Sequence, residues 1–174
     1  CEVQKPSVRN SLITAGLEQS KKFSWSNMAK VVSSILIDTT LASLNLQEIN
    51  LIIFPDWSQP EESLCLELQR VISAIAIPAS DRITLLIDTS NISVEDAELL
   101  LSGVTMNLLM EEDIDISEGI KISLVGNLAD IQWQALLPRI KARIILPQEN
   151  KQALKAAKAE NFLSYDLDSL IASH

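Results

Sequence analysis

From about residue 48 onward, short β-branched apolar runs alternate with longer amphipathic stretches. The runs fall at residues 50–54, 83–87, 120–125 and 142–146, with a weaker fifth at 162–165. Each is nearly continuous in apolar residues, which suits strands covered on both faces, because neither face then meets water. Helical patterns lie between them at about residues 60–76, 94–112, 129–140 and 151–159. Strand and helix in alternation build βαβ units. The pattern therefore predicts an α/β fold: a three-layer, Rossmann-like parallel sheet of four to five strands, with helices on both faces, over residues 48–174.

Two of these helices open alike. Ser58 with Glu61, and Ser93 with Asp96, each place an acceptor at the cap and a carboxylate three residues on. Pro60 falls in the first turn, where its missing N–H does no harm. Shared capping physics accounts for the likeness without an internal duplication.

Residues 1–47 read differently, as a segment of two helices. The first opens at Pro6, keeps Leu12, Ile13 and Leu17 at helical spacing, and ends at Lys21 and Lys22, where cations complement the dipole. Phe23, Ser24, Trp25 and Ser26 interrupt it. Ser24 or Ser26 can cap the second helix, in which Met28, Val31, Val32, Ile35 and Leu36 form one stripe and which Asn45 closes.

Charge and cysteine content narrow the function classes. A net charge of −9 and a pI near 4.6 would repel a phosphate backbone, so no nucleic-acid partner is expected. Hydrophobic residues at 47%, with only four Gly and six Pro, describe a packed chain and not a linker. No apolar run reaches the roughly 18 to 20 residues of a membrane span. Two cysteines, Cys1 and Cys65, make no metal spacing and no disulfide framework, which predicts a reducing, cytoplasmic setting. Cys65 reads as inert filling of a helix. Cys1 in place of a starting Met leads us to expect a fragment of a longer polypeptide. The acidic stretch at residues 111–118 reads as a surface loop, without the oxygen ladder and Gly turn of a calcium site.

The stretch from Ser7 to Lys30, with Gly16, Phe23, Ser24, Trp25 and Ala29 in that order, resembles the C-terminal end of the group 1 family of GT-B glycosyltransferases. There, a helix ending in Ala-Gly and a basic stretch precede Phe-Ser-Trp and a final helix. The resemblance covers about residues 7–40. It implies terminal helices of a sugar-transferring enzyme without its donor pocket, whose glutamate-bearing, glycine-rich motif would lie upstream. Residues 48–174 are similar, more loosely, to uncharacterised α/β modules of bacterial multidomain sugar- and methyl-transferring proteins.

In open parallel sheets, ligands bind beyond the carboxyl ends of the strands. That rule selects three loops, holding Asp56 and Trp57, then Asp88, Ser90 and Asn91, then Gly126 and Asn127. Asp56 and Asp88 sit where a carboxylate can hold a ribose hydroxyl or a metal, and Gly126 where a phosphate can approach the backbone. Asp, Ser and Asn after a strand are also ordinary caps and turn formers, and a lone Gly126 lacks the Gly-x-Gly-x-x-Gly pattern. Trp57 and Trp133 fit an exposed interaction surface, while Trp133 equally fits sealing the sheet. The single histidine, His174, is terminal, and Cys65 has no evident cationic partner, so no catalytic residue, metal site or resident cofactor is expected.

The first expectation for function is a noncatalytic α/β module of a glycosyltransferase-containing protein, partnered by the rest of that chain or by another protein. The alternatives are a nucleotide or nucleotide-sugar half-site at Asp56, Asp88 and Gly126, and a general protein-interaction domain.

Overall fold

The computed structural model describes residues 6–22, 24–76, 82–116 and 120–167. Cys1, Phe23, His174, and Ser117 and Glu118 of the acidic stretch lie outside the described residues. The chain divides into two compact units, Cys1–Thr39 and Thr40–His174.

The first unit is helical. Helix α1 spans Pro6–Lys22, and helix α2 spans Trp25–Ser43, its last turn entering the second unit. Ser24 is the cap of α2: its hydroxyl accepts from the Asn27 N–H at 3.2 Å, and its carbonyl accepts from the N–H of Met28 at 3.1 Å. Beyond Ser43 the chain turns at Asn45, whose φ of 47° is the left-handed conformation asparagine tolerates. Val8, Leu12, Ile13 and Leu17 of α1 and Met28, Val31, Val32, Ile35 and Leu36 of α2 are all exposed.

The second unit holds β1 (Ile49–Ile53), α3 (Glu61–Ala76), β2 (Ile83–Asp88), α4 (Val94–Glu111), β3 (Ile120–Val125), α5 (Asp130–Leu136), β4 (Ala142–Ile145), α6 (Lys151–Ala156) and β5 (Ser164–Asp166). The five strands form one parallel sheet in the order β3-β2-β1-β4-β5. It is the three-layer, Rossmann-like α/β fold that the sequence predicts.

Alternate residues of a strand point to opposite faces, and the core divides accordingly. Leu51, Ile53, Leu85 and Ile87 pack with Leu64, Leu68 and Ile72 of α3 and Leu101, Val104 and Leu108 of α4. Ile52, Phe54, Leu86 and Val125 pack on the other face with Trp133, Leu136, Ala153, Ala157 and Ala159. That second face is covered by short elements. Pro138 lacks the N–H that another α-helical turn requires, so α5 gives way at Leu136 to a 3-10 turn, Leu137–Arg139. Helix α6 ends at Ala156, three residues earlier than predicted, because Lys158 turns left-handed at φ 57°.

The rest of the second face is crossed by the segment entering β1. It is held by one polar side chain from each of three strands. Asn50 of β1 accepts from the Gln47 N–H at 2.9 Å and donates to the carbonyls of Gln47 and Arg139. Thr84 of β2 donates to the Asn45 carbonyl at 2.8 Å, and Ser123 of β3 donates to the Leu44 carbonyl at 2.7 Å. All three side chains are buried, and they pair main-chain groups that the sheet partly shields from water.

At one edge, β5 is displaced from the predicted run at 162–165. Phe162 instead donates its N–H to Ala159 in a turn and packs into the second-face core. The apolar residue marks the turn into the strand and not the strand itself, whose three residues are exposed.

Removing the Asn50 clasp strands three main-chain groups. Asn50→Ala is expected to cost about 1–3 kcal/mol in urea denaturation, and Thr84→Val about 1 kcal/mol. Exposed Ser102→Ala is expected to stay within about 0.5 kcal/mol.

Candidate functional site

A parallel sheet collects the carboxyl ends of its strands at one edge, so the three loops selected from the sequence share that edge. A fourth joins them. With the order β3-β2-β1-β4-β5, successive connections change direction between β1 and β4, and the crevice of such a sheet opens there. In this chain the crevice is bridged by main chain. Pro55 pairs with Glu149 in an antiparallel bridge, the Asp56 N–H donates to the Gln148 carbonyl at 3.3 Å, and the Asn150 N–H donates to the Phe54 carbonyl at 2.9 Å. Strand order is not encoded in hydrophobic pattern, so this fourth loop carries no signal in the sequence.

Asp88 ends β2 and is only 1% exposed. One carboxylate oxygen accepts from both the N–H (3.2 Å) and the hydroxyl (2.7 Å) of Ser90. Asn150 donates to that hydroxyl at 3.3 Å, and the Trp57 indole N–H donates to the Asp88 carbonyl at 2.7 Å. Burial pushes the Asp88 carboxyl above the ordinary aspartate range, with the Ser90 bonds pulling the other way.

Asp56 has the opposite environment. Its Oδ1 accepts from the Ser58 hydroxyl at 2.6 Å and the Ser58 N–H at 3.1 Å, and Asn91 adds a side-chain bond. The Ser58 bonds come first in holding its pKa below the usual range. They also correct the predicted cap. A hydroxyl donating to a carboxylate makes a stronger bond than one accepting from a helical N–H. Ser58 therefore serves Asp56, and α3 starts at Glu61, with the Pro60 carbonyl accepting from Ser63 and Leu64. Ser93 does cap α4, accepting from the Asp96 N–H at 3.1 Å.

Gly126 opens the loop after β3. A Cβ there would stand 2.9 Å from the Thr89 hydroxyl, so the glycine permits close approach of the loops after β2 and β3. Thr89 is buried and its hydroxyl has no hydrogen-bond partner. Asn127, next in the chain, is exposed with a left-handed φ of 43°.

Neither Trp57 nor Trp133 is exposed. Trp57 is buried against the α3–α4 face, and Trp133 seals the other face beside Phe54, with ring centroids 6.2 Å apart. Cys65 is half-buried, and burial, then the charge of Glu61, raises its thiol pKa, which favours the protonated thiol over the nucleophilic thiolate. Beside the bridged crevice, Arg143 of β4 reaches both Glu149 oxygens at 3.0 and 3.1 Å. Burial raises the Glu149 pKa, with Arg143 opposing. This pair was also not foreseen, because an Arg inside an apolar run looks like a strand residue facing water.

Asp56 with Asn91, and Asp88 with Ser90 and Trp57, are thus brought together, and Gly126 joins them through Thr89. Their hydrogen bonds hold the loops to one another.

Because the folded chain holds a proton on Asp88 more tightly than the unfolded chain, that contribution to stability is full below the unfolded pKa and is lost as pH rises through the folded one. Between about pH 3.5 and about pH 8, the urea midpoint of the wild type is expected to fall relative to that of Asp88→Asn. A gap that moves the other way would show the buried carboxylate to be stabilised as the anion.

Comparison with protein-family models, with curated proteins and with solved structures finds no match to this chain.

Proposed function

We propose that the chain is a noncatalytic α/β module of a glycosyltransferase-containing protein, in which it positions or docks the catalytic unit in the cytoplasm. One observation carries this: the apolar stripes of α1 and α2 are exposed, and α2 has no buried residue. A helix that keeps an apolar stripe needs a surface to bury it on, and these helices hold the sequence that resembles the end of a GT-B enzyme. The loop geometry is compatible, since the carboxylates at the sheet's carboxyl edge are engaged with neighbouring turns.

The test supplies the missing surface in trans. A group 1 GT-B glycosyltransferase, truncated before its Phe-Ser-Trp turn, is mixed with the full chain, and amide hydrogen exchange is followed. Protection confined to residues 6–43 is the expected outcome. Unchanged exchange, with the enzyme in excess, would overturn it.

A nucleotide or nucleotide-sugar half-site is favoured by a different observation, the buried Asp88 and the unpartnered Thr89 hydroxyl, side by side at the end of β2. Calorimetric titration with UDP, GDP and their sugars separates the two. The docking role predicts no saturable heat, whereas saturable heat abolished by Asp88→Ala would establish the half-site.

A further inference from the structure

Helix α4 carries two apolar stripes. Ala97, Leu101, Val104 and Leu108, at i, i+4, i+7 and i+11, are buried against the sheet. Leu99, Gly103, Met106 and Met110 repeat that spacing about 200° away around the helix, at about 100° per residue. Leu99 is 74%, Met106 56% and Met110 76% exposed. A helix that covers one face of a sheet ordinarily turns polar residues to water on its far side.

The shape of this ridge fits helix packing. Nothing lies within 4 Å of where a Gly103 side chain would begin, which leaves a notch at mid-helix. A groove of about 540 Å³ runs along one flank, where Trp57 and Cys65 face Leu99 and Asn107. A second, of about 300 Å³, runs along the other flank beside Met106, Leu109 and Ile114. A ridge between two grooves is the surface that a second helix packs against, and methionines adapt to such a partner.

Charge selects the occupant. Helix α4 contains Glu95, Asp96, Glu98 and Glu111 and no Lys or Arg, and Glu112 and Asp113 follow it. A second copy, crossing antiparallel near Gly103, would set Glu95 and Glu98 against the other copy's Glu111 and Glu112, and like charges in contact oppose that pairing. The complement is a helix with an apolar stripe bordered by Lys and Arg. We propose that the outer face of α4 docks a basic amphipathic helix of a partner protein, with Leu99, Met106 and Met110 as anchors and the acidic ends of α4 fixing its position. This does not depend on the glycosyltransferase proposal.

The probe is a labelled peptide the length of α4, 18 residues, with Leu at the stripe positions and Lys and Arg elsewhere. Fluorescence anisotropy with the full chain is expected to give a Kd of about 1–100 μM. A scrambled peptide of the same composition, and an acidic one with the same stripe, are expected to bind at least about tenfold more weakly. Met106→Glu with Met110→Glu, both exposed and so compatible with folding, is expected to weaken binding by the same factor or more, while Val31→Glu on α2 leaves it unchanged. Equal binding of the scrambled peptide, or no effect of the methionine substitutions, would overturn the proposal. Sedimentation that shows a dimer broken by Met106→Glu would also overturn it and assign the face to a second copy.

Discussion

A parallel sheet has to be covered on both faces, because its strands are apolar on both, and in this chain the two faces are covered by different means. Two long helices, α3 and α4, serve the first. Among the described residues, the second is covered by α5 and its 3-10 turn, α6, Leu41 in the last turn of α2 and the turn that leads into β1. A turn laid on the sheet brings main-chain polar groups against it, and a buried one left unpaired would cost about 1–3 kcal/mol. Asn50, Thr84 and Ser123 meet that need, one from each of three adjoining strands. The bonds trace a path from Leu44 under β3, through Asn45 under β2, to Gln47 beside β1. The polar residues within otherwise apolar strands are therefore part of the second layer, and the entry into β1 is set by them.

The same economy of polar groups governs the carboxyl edge. The loops after β1 and β4 are joined by main-chain bonds across the position where the sheet's crevice would open. Asp56 and Asp88 sit in contrasting environments, one with a lowered pKa and one with a raised one. Contrast of that kind is the mark of acid–base pairs in enzymes, but it arises just as directly from two turns of different depth. Asp56 holds a turn near the surface, and Asp88 holds one beneath Trp57. Structural demand accounts for both environments.

What the sequence disclosed follows from what each signal measures. Apolar runs located β1 to β4 because burial on both faces leaves a one-dimensional trace, and Ser24, Ser93 and Asn45 were legible because caps and left-handed turns are local. Ser58 was not, since its hydroxyl can donate to Asp56 or accept from the helix N–H groups, and only geometry decides between them. Strand β5 was displaced because Phe162 is apolar for the sake of the second-face core. The loop after β4, with Glu149 and Asn150, and the Thr89–Gly126 approach depend on which strands are neighbours, and that order leaves no trace in composition or period.

Helices α3 and α4 pack on the same face of the sheet yet differ in how they end at water. The outer positions of α3 are mostly polar, with Glu61, Glu62 and Arg70 beside a single exposed Leu66, whereas the outer stripe of α4 is Leu99, Gly103, Met106 and Met110. Burying the sheet does not require this, because Ala97, Leu101, Val104 and Leu108 already do so. Contiguous exposed apolar surface on a monomer is kept where something covers it. The acids at both ends of α4 add direction to that surface, because they lower the affinity of acidic partners and raise that of basic ones without changing the apolar contact itself. Apolar area supplies the adhesion and charge supplies the choice, and on α4 the two are carried by separate residues, so each can be altered without disturbing the other.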